Sequence, residues 1–191
     1  MNNDPDPAAW SRAYMALGWP VALGHRRRPR QGCTCGDPRC EQPGAHPVDG
    51  GPEYLTPEQM TQALQTSPGG SLIVGTRQFD AVTVERYAGM YVMVHLELSR
   101  HVPCLLTHET ATFLVHPGTG SSARVHPAVD LKTGPDAWVA LPPSYGTYWD
   151  NPPWDERSAT PRDLVHGEQI GSLLEGLRGY LDDTRRVGAV R

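Results

Sequence analysis

Three of the four cysteines and one histidine of this chain fall within fourteen consecutive residues, with the spacing C-x-C-x4-C-x5-H. Zn²⁺ in structural sites prefers four sulfur and nitrogen ligands in a tetrahedron, and three thiolates with one imidazole complete such a set. The pattern therefore predicts a structural zinc site whose ligands are Cys33, Cys35, Cys40 and His46. Because this set leaves no coordination position for a substrate, the metal would hold a loop in place. A disulfide framework, or cysteines that bind no metal, are the alternatives.

The one dense positive run of the sequence directly precedes these cysteines. Its arginines are Arg26, Arg27, Arg28 and Arg30. Runs of like charge usually form solvated loops, but arginine also offers a planar fork that binds phosphate oxygens in a bidentate manner. The sequence leaves both interpretations open: a solvated loop, or a surface that contacts the phosphates of DNA or of a nucleotide.

The charge of the whole chain limits the kind of phosphate contact it can make. Its 191 residues carry a formal net charge of −4 and the pI is near 6.0, so any such contact must be a local patch. Residues 1–7 are polar without a signal-peptide pattern, and no apolar run approaches the about 18 residues of a membrane span. We therefore predict a cytoplasmic protein, whose reducing surroundings favour metal binding over disulfides.

Helix signals occur at four places. Asp6-Pro7 and Thr56-Pro57 are N-terminal caps that each begin a helix. A third helix is predicted over about 87–99, with an apolar stripe formed by Met90, Val94 and Leu98. The fourth is a C-terminal amphipathic helix with an apolar face formed by Ile170, Leu173, Leu174, Leu177 and Leu181. This face is expected to pack on the sheet, or else on a second copy or a protein partner.

Apolar and β-branched runs predict seven strands, over residues 19–23, 71–75, 79–84, 104–107, 112–116, 128–132 and 137–141. The aromatic, proline-rich segment 149–154 is predicted to be a loop. Together these elements predict an α+β fold with a mixed central β-sheet, flanking helices and the zinc loop. Cys104 lies in an apolar strand and is expected to be a core residue.

The order of these parts resembles the bifunctional DNA primase/polymerase N-terminal domain, a branch of the archaeo-eukaryotic primase superfamily. The matching segments are 18–21 after the first helix, the basic loop, the cysteine loop through Pro43-Gly44-x-His46-Pro47, 75–82, 113–118, 129–131 and 138–144. The resemblance covers roughly residues 8–154. It implies a disordered segment at 1–7, a primase/polymerase-like domain at 8–154 with the zinc loop at 33–46, and a linker with the C-terminal helix at 155–191.

The resemblance also implies a site for Mg²⁺ or Mn²⁺, which the family holds with two acidic residues at positions i and i+2 of one strand. Here Thr83 occupies the first position and Glu85 the second, and the third acid of the family corresponds to Asp130. The family's triphosphate-binding histidine is not in its place; His108 lies a few residues early and His116 after it. Because two-metal phosphoryl transfer needs carboxylates to hold both ions, the lost acid predicts a degenerate site.

Two functional hypotheses follow from these residues. The preferred one is a catalytically degenerate primase-like module that is stabilised by zinc and binds nucleic acid, a nucleotide or a protein partner. The alternative is an active small DNA primase/polymerase, a nucleotidyltransferase that uses Mg²⁺ or Mn²⁺ with Glu85, Asp130 and His108. Hydrolysis at a P-loop is excluded, because the sequence lacks the glycine-rich Gly-Lys-Ser/Thr motif.

Overall fold

The computed structural model of the chain describes residues 6–48, 50–98, 100–155 and 157–182. Residues 1–5 of the predicted segment 1–7, and residues 156 and 183–191 of the predicted segment 155–191, lie outside the described residues. By internal packing the chain divides into two compact units: unit 1 comprises residues 1–78 and 135–148, and unit 2 comprises residues 79–134 and 149–191. Among the described residues, no helix combines the length and the apolar character needed to cross a membrane.

The helices are α1 (Pro7–Ala16), α2 (Pro57–Thr66), α3 (Arg86–Glu97) and α4 (Gly167–Glu175), with a short 3-10 helix at Gly120–Ala123. The strands are β1 (Val21–Gly24), β2 (Arg27–Arg28), β3 (Gly32–Cys33), β4 (Ser71–Gly75), β5 (Asp80–Glu85), β6 (Cys104–Leu106), β7 (Thr110–Val115), β8 (Asp130–Lys132), β9 (Trp138–Leu141) and β10 (Tyr148–Asn151). These elements confirm a mixed α+β architecture.

Unit 1 is built on an antiparallel sheet with the order β1-β4-β9 and on the β2–β3 hairpin. The predicted caps begin its helices: Asp6 accepts a hydrogen bond from the Ala8 N–H (3.1 Å), and Thr56 forms the capping box of α2. The core includes Tyr14, which is fully buried and donates its hydroxyl to the Pro142 carbonyl (2.8 Å).

Unit 2 is built on a five-stranded sheet with the order β10-β6-β7-β5-β8. Val82 and Phe113 on one face of this sheet pack with residues of α3 and α4 in a single hydrophobic cluster. Helix α3 lies very close to β7, because a Cβ added at Gly89 would come within 2.2 Å of the Ala111 Cβ. Ala88, Val92, Met93 and Leu96 are buried on that side of the helix.

Two predictions at this level are wrong. The strands lie in three sheets instead of one central sheet, because β4 pairs with β1 and β9 while β5 pairs with β7 and β8 in a separate sheet. Segment 149–154 is not all loop, since β10 covers Tyr148–Asn151. The prolines at 152 and 153 end that strand but do not prevent it, because a proline restricts mainly itself and the residue before it.

The predicted apolar stripe of α3 faces away from the hydrophobic cluster. Met90, Val94 and Leu98 are 39%, 56% and 85% exposed, whereas the cluster contains Ala88, Val92 and Leu96 of the same region. Both sides of α3 carry apolar residues, so periodicity alone does not choose between them. Close packing on β7 selects the side that carries Gly89, where the absence of a side chain lets the helix approach Ala111.

The predicted C-terminal helix is interrupted by a turn. Helix α4 contains Ile170, Leu173 and Leu174 and ends at Glu175, residues 176–177 form a turn, and residues 178–182, with Leu181, are helical again. All five apolar side chains belong to the hydrophobic cluster of unit 2 or pack against it. Contact with a protein partner through this segment stays a prediction.

Candidate metal centre and basic hairpin

The four predicted ligands come together in unit 1. One ligand atom from each of Cys33, Cys35, Cys40 and His46 lies within 4.8 Å of all the others. Two sulfurs bound at about 2.3 Å in a tetrahedron stand about 3.8 Å apart, so these distances suit a single ion. The four residues are therefore close enough to bind one metal, and they form the one such group among the residues that the structure describes.

His46 is oriented as a metal ligand through its Nε2 atom. Its Nδ1 lies 3.0 Å from the Pro47 carbonyl oxygen, and a carbonyl can only accept a hydrogen bond, so Nδ1 carries the proton. Nε2 then presents its lone pair, and it lies 3.2 Å from the Cys33 sulfur and 3.4 Å from the Cys40 sulfur. A carbonyl partner on the second ring nitrogen is the usual support of a ligating histidine.

The backbone closes the metal loop at both ends. At its beginning, β2 pairs with β3 so that Arg27 is directly opposite Cys33. At its end, the His25 N–H donates to the His46 carbonyl (2.9 Å), and Gly24 forms a bridge with Pro47. The loop between these contacts is short and irregular, as expected for a segment that wraps one ion.

The surroundings of the Cys33 and Cys40 sulfurs shift the pKa values of these two thiols in opposite directions. Burial raises the pKa of Cys33, but the backbone N–H groups of Cys35 and Gly44 outweigh it and lower that pKa to about 6. Burial, followed by the neighbouring sulfurs of Cys35 and Cys33, raises the pKa of Cys40 to about 11. Three adjacent thiolates repel one another, and a bound cation removes that repulsion. A bound cation would therefore be electrostatically favourable at this cluster.

The predicted basic residues form the arm of this hairpin rather than a featureless loop. Arg26 is half-buried and donates from its guanidinium to the Pro68 carbonyl. Arg27, Arg28 and Arg30 are exposed, and none of them forms an ion pair with a carboxylate among the residues that the structure describes. The guanidinium of Arg27 lies over the ring of Tyr145, 4.3 Å from its centroid. The hairpin therefore presents uncompensated positive charge beside the metal cluster.

The predicted acidic positions share one face of the unit 2 sheet. Thr83 is directly opposite Asp130 on β8 and opposite Thr112 on β7, and Glu85 follows two residues later on β5. Residues in these relations point to the same face. The hydroxyl oxygens of Thr83 and Thr112 lie 2.8 Å apart and form a hydrogen bond with each other. Asp80 faces the opposite side, where its carboxylate accepts hydrogen bonds from Gly120 and Thr133.

The carboxylate of Glu85 has a local structural task. Its Oε2 atom accepts hydrogen bonds from the N–H groups of Tyr87 (2.9 Å) and Ala88 (3.2 Å) at the start of α3. The hydroxyl of Tyr180 donates to the same oxygen (3.0 Å), and burial together with this carboxylate raises the pKa of Tyr180. Glu85 is therefore the N-cap of α3, a role that the sequence analysis did not assign.

The remaining predicted residues, Asp130 and His108, are exposed. Asp130 is exposed on β8 beside Lys132, whose pKa burial lowers and Asp130 raises in part. His108 is exposed in the turn between β6 and β7, where the Thr107 N–H donates to the Thr110 carbonyl (2.9 Å). Within the described part of the chain, Glu85, Asp130 and His108 form no group with metal-ligand spacing.

Sequence reasoning missed Tyr145 as a partner of the basic run. Tyr145 follows the Pro142-Pro143-Ser144 segment, and 53% of it is exposed. Its contact with Arg27 joins two parts of unit 1 that are distant in sequence. An aromatic residue directly after a proline-rich turn was the available signal, but it did not indicate the partner.

Comparison of the chain with protein-family models, with curated proteins and with solved structures finds no match. Function is therefore inferred from the residues and their geometry.

Proposed function

We propose that this chain is a zinc-stabilised, primase/polymerase-like module that binds nucleic acid and does not extend it. The observation that carries the proposal is the pairing of Arg27 with Cys33 across the β2–β3 hairpin. This pairing makes the metal cluster and the exposed arginines parts of one small structure. A metal that orders the hairpin thereby also fixes the arginines that meet phosphates.

Zinc is the ion that this ligand set fits best. Three sulfurs and one imidazole nitrogen are borderline to soft donors, and they fill all four positions of a tetrahedral ion. Cys33, Cys35, Cys40 and His46 would hold it, and its contribution would be to the folding of the loop. With no open position, the ion would activate neither water nor substrate.

The state of the three metal-ligand positions, Thr83, Glu85 and Asp130, is the reason for proposing that the chain does not extend nucleic acid. Thr83 stands where the resembled family has a carboxylate, and its hydroxyl is paired with Thr112 (2.8 Å). The carboxylate of Glu85 is engaged by two N–H groups of α3 and by Tyr180. Holding two divalent ions for phosphoryl transfer requires several free carboxylates, and Asp130 is the one that is left.

A second candidate function is an active nucleotidyltransferase that uses Mg²⁺ or Mn²⁺. It is favoured by one observation: the positions of Thr83, Glu85 and Asp130 lie on the same face of the sheet, as a metal site of the resembled family requires. Rotation of the Glu85 carboxylate away from α3 would be needed before it could bind an ion together with Asp130. His108 would then contact the triphosphate.

Primer extension and de novo synthesis, assayed with Mn²⁺ and all nucleotides, distinguish these functions. Nucleic-acid binding is measured on the same samples by fluorescence anisotropy, and Glu85→Ala and Asp130→Ala are run in parallel. We expect binding without product for the wild-type chain and for both variants. Product that disappears in both variants would establish the enzyme instead, whereas the absence of both product and binding would favour a protein partner.

A further inference from the structure

We propose that Tyr145 and Arg27 form a stacking platform for the unpaired bases of single-stranded nucleic acid, flanked by Arg28 and Arg30 as phosphate contacts. This inference rests on the proposed function, because it takes the module to bind nucleic acid and names the form that it binds. It concerns only unit 1, to which all four residues belong.

The platform combines an exposed aromatic ring with a guanidinium group. The Arg27 guanidinium carbon is 4.3 Å from the centroid of the Tyr145 ring, yet 53% of Tyr145 is exposed. A base can stack on an aromatic ring or on a guanidinium plane, and the cation–π contact already aligns the two groups. An exposed tyrosine that a cation holds in place is the arrangement that single-strand-binding surfaces use.

The tyrosine side of the platform is fixed by the fold. The hydroxyl of Ser144 accepts a hydrogen bond from the Leu72 N–H (3.0 Å) and donates to the Leu72 carbonyl (3.2 Å). The Thr147 hydroxyl donates to the Ser144 carbonyl (2.8 Å) on the other side of Tyr145. The turn is therefore tied to β4 at the residue that precedes Tyr145, so a base that stacks there orders little additional protein.

The arginine side is fixed by the metal loop. Arg27 is paired with Cys33, and its backbone lies against Gly44, where an added Cβ would come within 2.5 Å of the Arg27 nitrogen. Both Cys33 and Gly44 belong to the loop that the metal closes. The platform is thus expected to depend on the metal, although neither of its residues is a ligand.

The surrounding charge suits a phosphate backbone. From His25 to Val48 the sequence has five arginines against two acidic residues, Asp37 and Glu41, whereas the whole chain has a net charge of −4. Arg28 and Arg30 are exposed and form no ion pair with described residues. Stacking requires unpaired bases, so the surface should prefer a single strand to a duplex of the same length.

Binding of fluorescein-labelled oligothymidylate, oligouridylate and a duplex of equal length tests the platform, with fluorescence anisotropy recorded at several salt concentrations. Tyr145→Ala and Arg27→Ala should each weaken binding of the single strand about 5- to 150-fold, and Tyr145→Phe should bind like wild type. Arg28→Ala should reduce the slope of log K against log salt by about 0.7. The thymidylate and uridylate arms compare a DNA strand with an RNA strand, and tight binding of either supports the platform.

Two matched variants control for loss of a surface tyrosine or arginine in general. Tyr87→Ala removes a tyrosine that is 64% exposed on α3, and Arg12→Ala removes an exposed arginine on α1. Both should bind like wild type. Zinc content and the thermal midpoint, measured for every variant, show that the platform variants remain folded and loaded with metal.

The outcomes separate the platform from the proposed function. If the wild-type chain binds but Tyr145→Ala and Arg27→Ala bind equally well, the platform is overturned and the proposed function stands. A preference for the duplex overturns the platform in the same way. If the wild-type chain binds none of the three nucleic acids, both proposals fail.

Discussion

Gly44 brings the end of the metal loop against the basic hairpin. Its φ is +73°, and a Cβ at this position would lie 2.5 Å from the backbone nitrogen of Arg27. Gly36, in the same loop, has a similar φ of +82° but has no atom within 4 Å of such a Cβ. A substitution at Gly36 therefore measures the cost of a left-handed backbone alone, whereas the same substitution at Gly44 adds the cost of a steric clash.

We expect Gly44→Ala to be more damaging than Gly36→Ala. The left-handed conformation should cost either variant about 1–2 kcal/mol, and only Gly44→Ala adds a clash with backbone that cannot move aside. Urea unfolding followed by circular dichroism, and zinc affinity measured by competition with a chromophoric chelator, should both show the larger loss for Gly44→Ala. Equal losses in the two variants would contradict the close approach.

Cys104 should make the stability of the protein sensitive to alkaline pH. Its thiol is fully buried, and burial, with Asp150 and Glu97 nearby, raises its pKa. In the unfolded chain the thiol ionises near its ordinary pKa of about 8.5, while the folded thiol keeps its proton to higher pH. The contribution of the Cys104 thiol to stability is therefore fully present below about pH 8.5. Above that pH, the free energy of unfolding falls by up to about 1.4 kcal/mol per pH unit.

Urea unfolding of wild type and Cys104→Ala, compared from about pH 7 to about pH 10.5, measures this contribution. The difference between the two proteins isolates Cys104, because the tyrosines, lysine and other cysteines titrate in both. The variant should lose stability less steeply above about pH 8.5. Parallel curves would show that Cys104 does not keep its proton.

At the scale of elements, Glu85 connects the end of β5 to the beginning of α3. The same residue is a metal-ligand position by resemblance and an N-cap by geometry. A carboxylate at the N-terminus of a helix also interacts favourably with the helix dipole. The two roles make different predictions for stability, since a surface metal ligand can be removed at little cost and a cap cannot.

We expect Glu85→Ala to lower the free energy of unfolding by about 1 kcal/mol, because Tyr87, Ala88 and Tyr180 lose their common acceptor. Glu85→Gln keeps one oxygen as an acceptor and should cost less. Asp130→Ala, at an exposed position, should change stability by less than about 0.5 kcal/mol. Chemical denaturation in the absence of divalent ions provides the comparison, and a silent Glu85→Ala would contradict the capping role.

The elements that the sequence predicted well are those with local signals. The capping box of Thr56 and Gln59 depends on residues three positions apart, and the structure contains both of its hydrogen bonds. The buried side of α3 could not be predicted, because Met90 and Val92 on its two sides are similarly apolar and the choice depends on contact with β7. Strand β2 could not be predicted from its two arginines, since its partner strand supplies the pairing.

At the scale of the whole molecule, metal should contribute to the stability of the fold as well as to its loop. Removal of zinc with a chelator should lower the thermal midpoint and weaken binding of nucleic acid together, because the loop carries both the ligands and Arg27. Restoring zinc should reverse both effects. A metal-free protein that keeps its thermal midpoint would contradict a structural metal.

Cys40→Ser provides the matched genetic test. Loss of a ligand should reduce zinc affinity by more than the about 10- to 100-fold that loss of an outer partner costs, and it should destabilise the loop. Cys104→Ala removes a cysteine from the core of unit 2, so it should lower stability while the zinc content stays at one ion per chain. Elemental analysis of the purified proteins measures both.

The candidate site was also predicted only in part, because some of its contacts join residues that are close in sequence and others join residues that are distant. The four ligands were predicted because they lie close together in sequence, and the geometry brings them within reach of one ion. The contact between Arg27 and Tyr145 was missed, because it depends on the turn that follows β9. The capping role of Glu85 also depends in part on Tyr180, far along the chain.

The pairing of β4 with β9 has a consequence for the moment at which the protein can fold. Leu72 of β4 is opposite Leu141 of β9, and all of unit 2 up to residue 134 is synthesised between them. As the chain leaves the ribosome, the metal loop can close early, while the sheet of unit 1 must wait for its third strand. The β2–β3 hairpin therefore leaves the ribosome first, and Tyr145 can join Arg27 only after residues 79–134 have been synthesised.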